Sequence, residues 1–156
     1  LMDMPLADFR QGGGSQAPLT MKNQRVAFNI CYEDGFGDEL IPAAAQSTLL
    51  ANASNLAWYG RSNAMYQHLQ QSQARALELG RYMVRATNTG ATAAIDPQGR
   101  ITAQLPADTA AVLTAAVEGR SGQTPYMKLG GSWPLIGLLA LTAAVLLLVG
   151  RGQKAV

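Results

Sequence analysis

The feature that most constrains this 156-residue chain is a run near its end, Trp133 to Val149, that carries no charged side chain. At ~1.5 Å per residue the run makes a helix roughly 26 Å long, near the lower limit for crossing a bilayer. No polar face interrupts it, as a helix on the surface of a water-soluble domain would require. Trp133 and Tyr126 stand where interfacial aromatics belong, and Arg151 and Lys154 follow the run. The pattern predicts a transmembrane helix over 133–150, a juxtamembrane linker over 126–132 and a tail over 151–156. The positive-inside bias puts that tail in the cytoplasm and the preceding domain on the far side, in the periplasm of a two-membrane bacterium. The competing reading of the run is a buried core helix.

Composition supports a soluble domain joined to such a segment. Charged residues are only 14% of the chain, against roughly 25% in an average soluble domain, and the deficit is concentrated at the C-terminal end. The net charge of +2, spread over scattered Lys and Arg, leaves no footprint for nucleic acid. One cysteine and one histidine exclude an internal disulfide and multi-Cys or multi-His metal sites, so no metal is expected. The start, Leu1-Met2-Asp3-Met4-Pro5, has no basic-then-apolar leader pattern and reads as the middle of a domain.

Residues 1–23 read as irregular, with Pro5, Pro18 and the Gly12-Gly13-Gly14-Ser15 run supplying loop chemistry. Val26–Ile30 is short, apolar and β-prone, a buried strand ending at Cys31. Asp38 to Ala45 predicts a short helix with Pro42 near its start. Leu49–Ala53 is a second buried strand, followed by a loop over 54–60. Tyr66 to Leu79 predicts a helix with Leu69, Gln73, Ala76 and Leu77 on one face and Gly80 ending it. Strands are then expected at Tyr82–Ala86, Ala91–Ile95, Ile101–Gln104 and Ala111–Val117. Asp96-Pro97-Gln98-Gly99 is a turn that makes the middle two a hairpin. This order implies an α/β or α+β layered domain.

Cys31 is the residue whose surroundings suggest chemistry. It stands where the apolar strand stops and Tyr32-Glu33-Asp34-Gly35 begins, so a rigid scaffold could hold an exposed thiol at the sheet's end. Backbone N–H groups of the following turn could stabilise an oxyanion. No obvious base accompanies it. His68, the only histidine, lies beside Gln67 and Gln70 and reads as a surface or supporting residue rather than a dyad partner. Glu33 could lie on the same side as the thiol or be an ordinary solvated carboxylate.

Asn29-Ile30-Cys31-Tyr32-Glu33, Asn52-Ala53-Ser54-Asn55-Leu56-Ala57-Trp58-Tyr59-Gly60, Gln67-His68-Leu69-Gln70, Arg75-Ala76-Leu77-Glu78-Leu79-Gly80-Arg81 and Arg85-Ala86-Thr87-Asn88-Thr89-Gly90 follow one another in an order and spacing that resemble the apolipoprotein N-acyltransferases. That family is the membrane branch of the nitrilase, or carbon–nitrogen hydrolase, superfamily. Thr124-Pro125-Tyr126 through Trp133-Pro134 is similar to the family's exit into its last membrane helix.

The resemblance implies the C-terminal part of an α/β/β/α sandwich over 24–125, preceded by loop 1–23 of the same domain, and a Glu–Lys–Cys triad. Cys31 matches the nucleophile, the Tyr32 backbone N–H an oxyanion donor, and Glu33 the acid that shapes the site. Trp58 would flank the acyl pocket, with Asn55 supporting its loop and Tyr59 beside it. Leu56 departs from the pattern, since many members carry Asp there. The triad Glu and Lys are expected upstream of residue 1, because Lys22, the only lysine before Cys31, is too close to match and reads as a solvated residue opening the strand. The 156 residues are therefore expected to be part of a longer, multi-pass enzyme of the bacterial inner membrane and inactive alone.

The implied reaction moves an acyl chain from a phospholipid, phosphatidylethanolamine, through a Cys31 thioester to the α-amine of an apolipoprotein's lipid-modified cysteine. A monomer that needs no cofactor is expected. The rival readings are a nitrilase-family amidase and a non-catalytic membrane-tethered domain with an inert cysteine.

Overall fold

The computed structural model describes residues 16–153. Pro5, the Gly12–Ser15 run, the side chain of Arg151 and Lys154 lie outside the described residues. Six strands form one sheet in chain order: β1 Leu19–Met21, β2 Gln24–Ile30, β3 Leu49–Ser54, β4 Met83–Thr87, β5 Ala93–Ile95 and β6 Ile101–Gln104. β2, β3 and β4 are parallel, while β1, β5 and β6 run antiparallel to their neighbours. Parallel neighbours require crossovers, and helices α1 Gly37–Ala45 and α2 Ala64–Leu79 supply them. α3 Pro125–Lys128 and α4 Trp133–Gln153 complete the chain. The α/β expectation holds.

Strand alternation sorts the sheet residues into two faces. Ala27, Leu50 and Met83 align across β2–β4 and pack, with Ala93 and Ile95, against Ala44, Leu69, Ala76, Leu79 and Met127. The opposite face carries Val26, Phe28 and Ile30 beside Leu49, Ala51 and Ala53, then Val84 and Ala86. Phe28 and Ile30 are 48% and 65% exposed there, although central parallel strands are normally covered on both faces.

Several sequence expectations need correction. Ala111–Val117 is extended but joins no strand pair among the described residues. It crosses the second sheet face instead: Val117 packs on Val26, Leu49 and Ala51, Ala111, Leu113 and Ala115 line a groove over Phe28 and Val84, and Arg120 N–H donates to the Thr48 carbonyl at 3.0 Å. An apolar, β-prone run can thus be laid against a sheet without joining it. The 1–23 region contains β1, a three-residue strand too short for periodicity to reveal, and Lys22 occupies the β1–β2 turn at φ +54° rather than opening β2. Leu77 is 56% exposed, and the buried face of α2 runs through Met65, His68, Leu69, Ser72, Ala76 and Leu79. Each four-residue step overshoots a full turn by about 40°, so Gln73 and Leu77 rotate away from Leu69. Pro42 sits past the first turn of α1, where it removes the N–H that would have met the Asp38 carbonyl. Residues 57–59 of the expected loop form a 3-10 turn, Ala57–Tyr59.

Other features follow the sequence. Gly80 ends α2 at φ +62°, and the Asp96–Gly99 turn closes on a 2.9 Å bond from Gly99 N–H to the Asp96 carbonyl. Thr124 caps α3 by accepting the Met127 N–H at 3.2 Å. Asp38 Oδ1 accepts from Tyr126 Oη, from Ser132 N–H at 3.2 Å and from Ser132 Oγ at 3.3 Å, fixing the α3–α4 junction to α1. From Leu135 to Leu148 every residue of α4 is exposed. The described apolar stretch, Trp133–Leu148, is about 24 Å long against a ~30 Å hydrocarbon core. Among the described residues no helix is long and apolar enough to cross a membrane.

Candidate active site

The three parallel strands end together, with Ile30 opposite Ala53 and Ala53 opposite Ala86, so the segments that follow them emerge at one end of the sheet. Cys31 is the first residue past β2. Its φ of +50° lies in the left-handed region, which a side chain with a Cβ occupies at a cost of about 1–2 kcal/mol. The chain turns there into a 3-10 segment, Cys31–Gly35. Glu33 Oε2 reaches back to accept the Ile30 N–H at 2.6 Å, holding the turn closed, while the rest of Glu33 stays exposed. Tyr32 is 58% exposed and meets Phe36 edge-on at 5.2 Å between ring centres.

Beneath the turn lies a buried polar cluster. Asn29, Asn52 and Arg85 stand side by side on β2, β3 and β4, two register positions beyond the Ala27–Leu50–Met83 row and on the same face. Asn52 Nδ2 donates to Asn29 Oδ1, and Arg85 Nη1 donates to Asn52 Oδ1 at 3.2 Å. Asp34 turns inward from the 3-10 segment, with no exposed surface, to accept from Arg85 Nη1 at 3.1 Å and from Ser72 Oγ on α2. Burial lowers the Arg85 guanidinium below its usual range, and the Asp34 carboxylate opposes that by stabilising its charge.

His68 closes the cluster. Arg85 Nη2 lies 2.7 Å from its Nδ1, and a guanidinium can only donate, so Nδ1 carries the lone pair and Nε2 the proton. That N–H is directed at the Cys31 carbonyl, 3.0 Å away. Asp34 Oδ1 lies 2.8 Å from the same nitrogen but off the N–H direction, and has no hydrogen-bond donor among the described residues. The surface reading of His68 is thus corrected: it is 6% exposed and touches residue 31 through the main chain.

The loop after β3 carries the remaining expected residues. Asn55 Oδ1 accepts from Ala57 N–H at 3.1 Å and from Asn88 Nδ2 at 2.7 Å. Trp58 Nε1 donates to the Asn55 carbonyl at 2.8 Å, leaving its ring half-exposed beside exposed Tyr59. Asn88, after β4, also accepts the Leu56 N–H at 2.9 Å. Leu56 is buried against Gly90, where an added Cβ would come within 2.3 Å of its Cδ1. Cys31, Tyr32 and Glu33 therefore share one turn and Asn55, Trp58 and Tyr59 the neighbouring loop. No hydrogen bond among the described residues joins the two groups.

A cavity of about 410 Å³ opens between the ends of β3 and β4, lined by Ser54, Asn55, Thr87 and Asn88. Another of about 610 Å³ lies between α1, α2 and the start of α4, and Cys31 does not line it. No cluster of three or more metal-ligating side chains occurs among the described residues. Sequence reading missed Asn29, Asp34, Asn52, Ser72, Arg85 and Asn88 as parts of the site. The available signal was a polar residue, Asn29, Asn52 or Arg85, set among apolar neighbours in each of three strands, which only the parallel register converts into one cluster.

A carbon–nitrogen hydrolase family model matches residues 4–126. An apolipoprotein N-acyltransferase of Neisseria meningitidis serogroup B is 70% identical over 99% of this chain and 30% of its own length. One from Chromobacterium violaceum is 56% identical over 96% of this chain and 29% of its own length. The chain thus spans about 30% of the curated relatives it matches. Among solved structures, the C. elegans NitFhit protein superposes with TM-score 0.52 at 23% identity, covering 63% of this chain and 26% of that one. An amidase from Nesterenkonia sp. superposes with TM-score 0.50 at 23% identity, covering 60% and 39%. At that identity the superpositions speak for the fold alone.

Proposed function

The chain belongs to the carbon–nitrogen hydrolase family, and from that premise we propose that it is the nucleophile-bearing part of an apolipoprotein N-acyltransferase. In this reading the Cys31 thiolate attacks the ester carbonyl of a phospholipid such as phosphatidylethanolamine. A C–S bond forms, the ester C–O bond breaks, and the lysophospholipid leaves with a proton. The α-amine of the acceptor's lipid-modified cysteine then attacks the thioester. A C–N bond forms, the C–S bond breaks, and the thiol is regenerated. Splitting one ester-to-amide exchange this way gives two lower barriers. The base is a Glu and its companion a Lys from the part of the longer protein upstream of residue 1.

Within the proposal each expected residue has a task. The Tyr32 N–H stabilises the oxyanion of each tetrahedral intermediate. Glu33, bonded to the Ile30 N–H, holds the nucleophile's turn. Asn55 braces the loop that presents Trp58 and Tyr59 to the acyl chain, with its own amide held by Asn88. The exposed face carrying Phe28 and Ile30 is where the rest of the α/β/β/α sandwich packs.

The observation that carries the transferase reading over an amidase is the union in one chain of the Cys31 turn and α4, whose residues from Leu135 to Leu148 are all exposed. A hydrolase acting on soluble amides has no use for such a helix, whereas lipid-anchored substrates are confined to its plane. We assign α4 as a membrane-spanning helix. Its short apolar stretch is accommodated by local thinning of the bilayer and by Val149 and Gly150. Arg151 and Lys154 face the cytoplasm, the catalytic domain lies in the periplasm, and the protein acts as a monomer in the inner membrane. The test is to give the full-length protein phosphatidylethanolamine and a diacylglyceryl-cysteine peptide. Acyl chain recovered as peptide amide supports the transferase. Acyl chain recovered only as free fatty acid contradicts it.

A further inference from the structure

The Cys31–Tyr32 peptide group is held from below at its carbonyl. His68 Nε2 donates to that oxygen at 3.0 Å and Asn52 Nδ2 at 3.1 Å, from α2 and β3 respectively. Both donors are buried, at 6% and 2% exposure, and both are themselves fixed. Arg85 sets the tautomer and ring orientation of His68 through Nδ1, and Asn52 is tied to Asn29, Ser54 and Arg85. A carbonyl accepting from two buried donors is an unusual concentration of order at a residue whose own φ, +50°, is strained.

The consequence lies on the other side of the same peptide plane. In a trans peptide the N–H points opposite to the C=O. Drawing the Cys31 carbonyl down toward His68 and Asn52 therefore aims the Tyr32 N–H upward, away from the cluster. As the second residue of the 3-10 segment, Tyr32 has no acceptor for that N–H within the turn. Hydrogen bonds to a peptide's carbonyl also polarise its N–H into a better donor.

We infer that His68, with Asn52, is a positioning residue for acyl transfer: it anchors the Cys31 carbonyl so that the Tyr32 N–H is preset as the oxyanion donor. This deepens the acyl-transfer reading and rests on it. His68 touches neither substrate nor thiol in this role and moves no proton. Arg85, Asp34 and Ser72 serve it in turn, Arg85 by supplying the hydrogen bond that keeps Nδ1 unprotonated, and Asp34 with Ser72 by holding Arg85 in place.

Two substitutions separate this role from general support. In His68→Asn the side-chain amide can still accept from Arg85 at the Nδ1 position but ends short of the Cys31 carbonyl. In His68→Gln the amide extends to the Nε2 position and can serve both partners. Each is made in the full-length protein, and two reactions of Cys31 are compared. Acylation by p-nitrophenyl butyrate passes through an oxyanion, whereas alkylation by iodoacetamide does not, so alkylation reports a folded site and an intact thiol.

For H68N the acylation rate constant should fall at least about tenfold, less than the ~10²–10³ that loss of an oxyanion donor itself costs. KM and the iodoacetamide rate should stay at wild-type values, and H68Q should recover most of the acylation rate. Acylation of H68N at the wild-type rate overturns the inference. So does a parallel fall in acylation and alkylation, or an H68Q as slow as H68N. Wild type that forms no Cys31 acyl adduct refutes the acyl-transfer reading and the inference with it. Wild type that acylates but passes the acyl group only to water refutes the transferase reading, while the H68N contrast still supports the role of His68.

Discussion

Replacing Arg85 by Met removes the only cation of the cluster beneath Cys31 and leaves the Asp34 carboxylate buried without a counter-charge. Both side chains have no exposed surface, so water cannot take over the lost partner. The guanidinium also supplies hydrogen bonds to Ser72 at 2.6 Å, His68 at 2.7 Å and Asn52 at 3.2 Å, which Met cannot replace. Breaking one side of a buried pair costs about 3–5 kcal/mol. For a domain of this size that corresponds to a fall in Tm of roughly 6–20 °C. Removing both charges, in Asp34→Asn with Arg85→Met, should be milder than Arg85→Met alone by at least about 1 kcal/mol, because no uncompensated charge remains. The assay is thermal unfolding of the full-length protein in detergent, single and double variants side by side. If Arg85→Met lowers Tm by less than about 2 °C, or the double variant is worse than the single by the full sum, the claim of a buried, interdependent charge cluster is wrong.

Cys31→Gly should relieve the φ +50° strain and stabilise the protein by about 1 kcal/mol while abolishing every thiol-dependent acyl adduct; a lower Tm would contradict the strained geometry. Gly90→Ala should cost about 1–3 kcal/mol, since the new Cβ meets Leu56 Cδ1 at 2.3 Å, and urea unfolding would read it; an unchanged midpoint would show that Leu56 is free to move. Burial and the hydrogen bond to Asp38 push the Tyr126 hydroxyl up from 10.0 to about 12. Because the folded value is raised, the stabilising contribution is complete below pH 10 and lost as pH rises through about 12. Ultraviolet titration should find a phenol ionising in that range, and Asp38→Asn should bring it down; a full set of ordinary tyrosine titrations would refute the contact.

The parts of the fold legible in the sequence were those set by local chemistry. The apolar Val26–Ile30 and Leu49–Ala53 runs, the Asp96–Gly99 turn and the Gly80 stop each carry their own signal, and each appears within a residue or two of its expected place. Ala111–Val117 misled because an apolar, β-prone run can lie against a sheet without bonding to it; among the described residues its backbone pairs with no strand, and Val117 instead covers Val26 and Ala51. The end of β2 beside Cys31 was readable from the sequence, whereas the side chains packed beneath Cys31 were not. Asp34 carried no signal beyond its place in the turn, and His68 read as a surface or supporting residue of its helix. Only the crossing of α2 over the parallel strands brings them onto Arg85 and the Cys31 carbonyl, and that crossing is a tertiary fact.

In the proposed function Cys31 carries the acyl chain between donor and acceptor. The direct measurement is peptide mass spectrometry of the full-length protein after incubation with phosphatidylethanolamine, before any amine acceptor is added. A hydroxylamine-sensitive acyl adduct is expected on the Cys31 peptide, and it should disappear when the acceptor peptide arrives, with the acyl chain recovered as its amide. Acyl transfer to the acceptor by a Cys31→Ala variant, or turnover with no trappable adduct on Cys31, would contradict it.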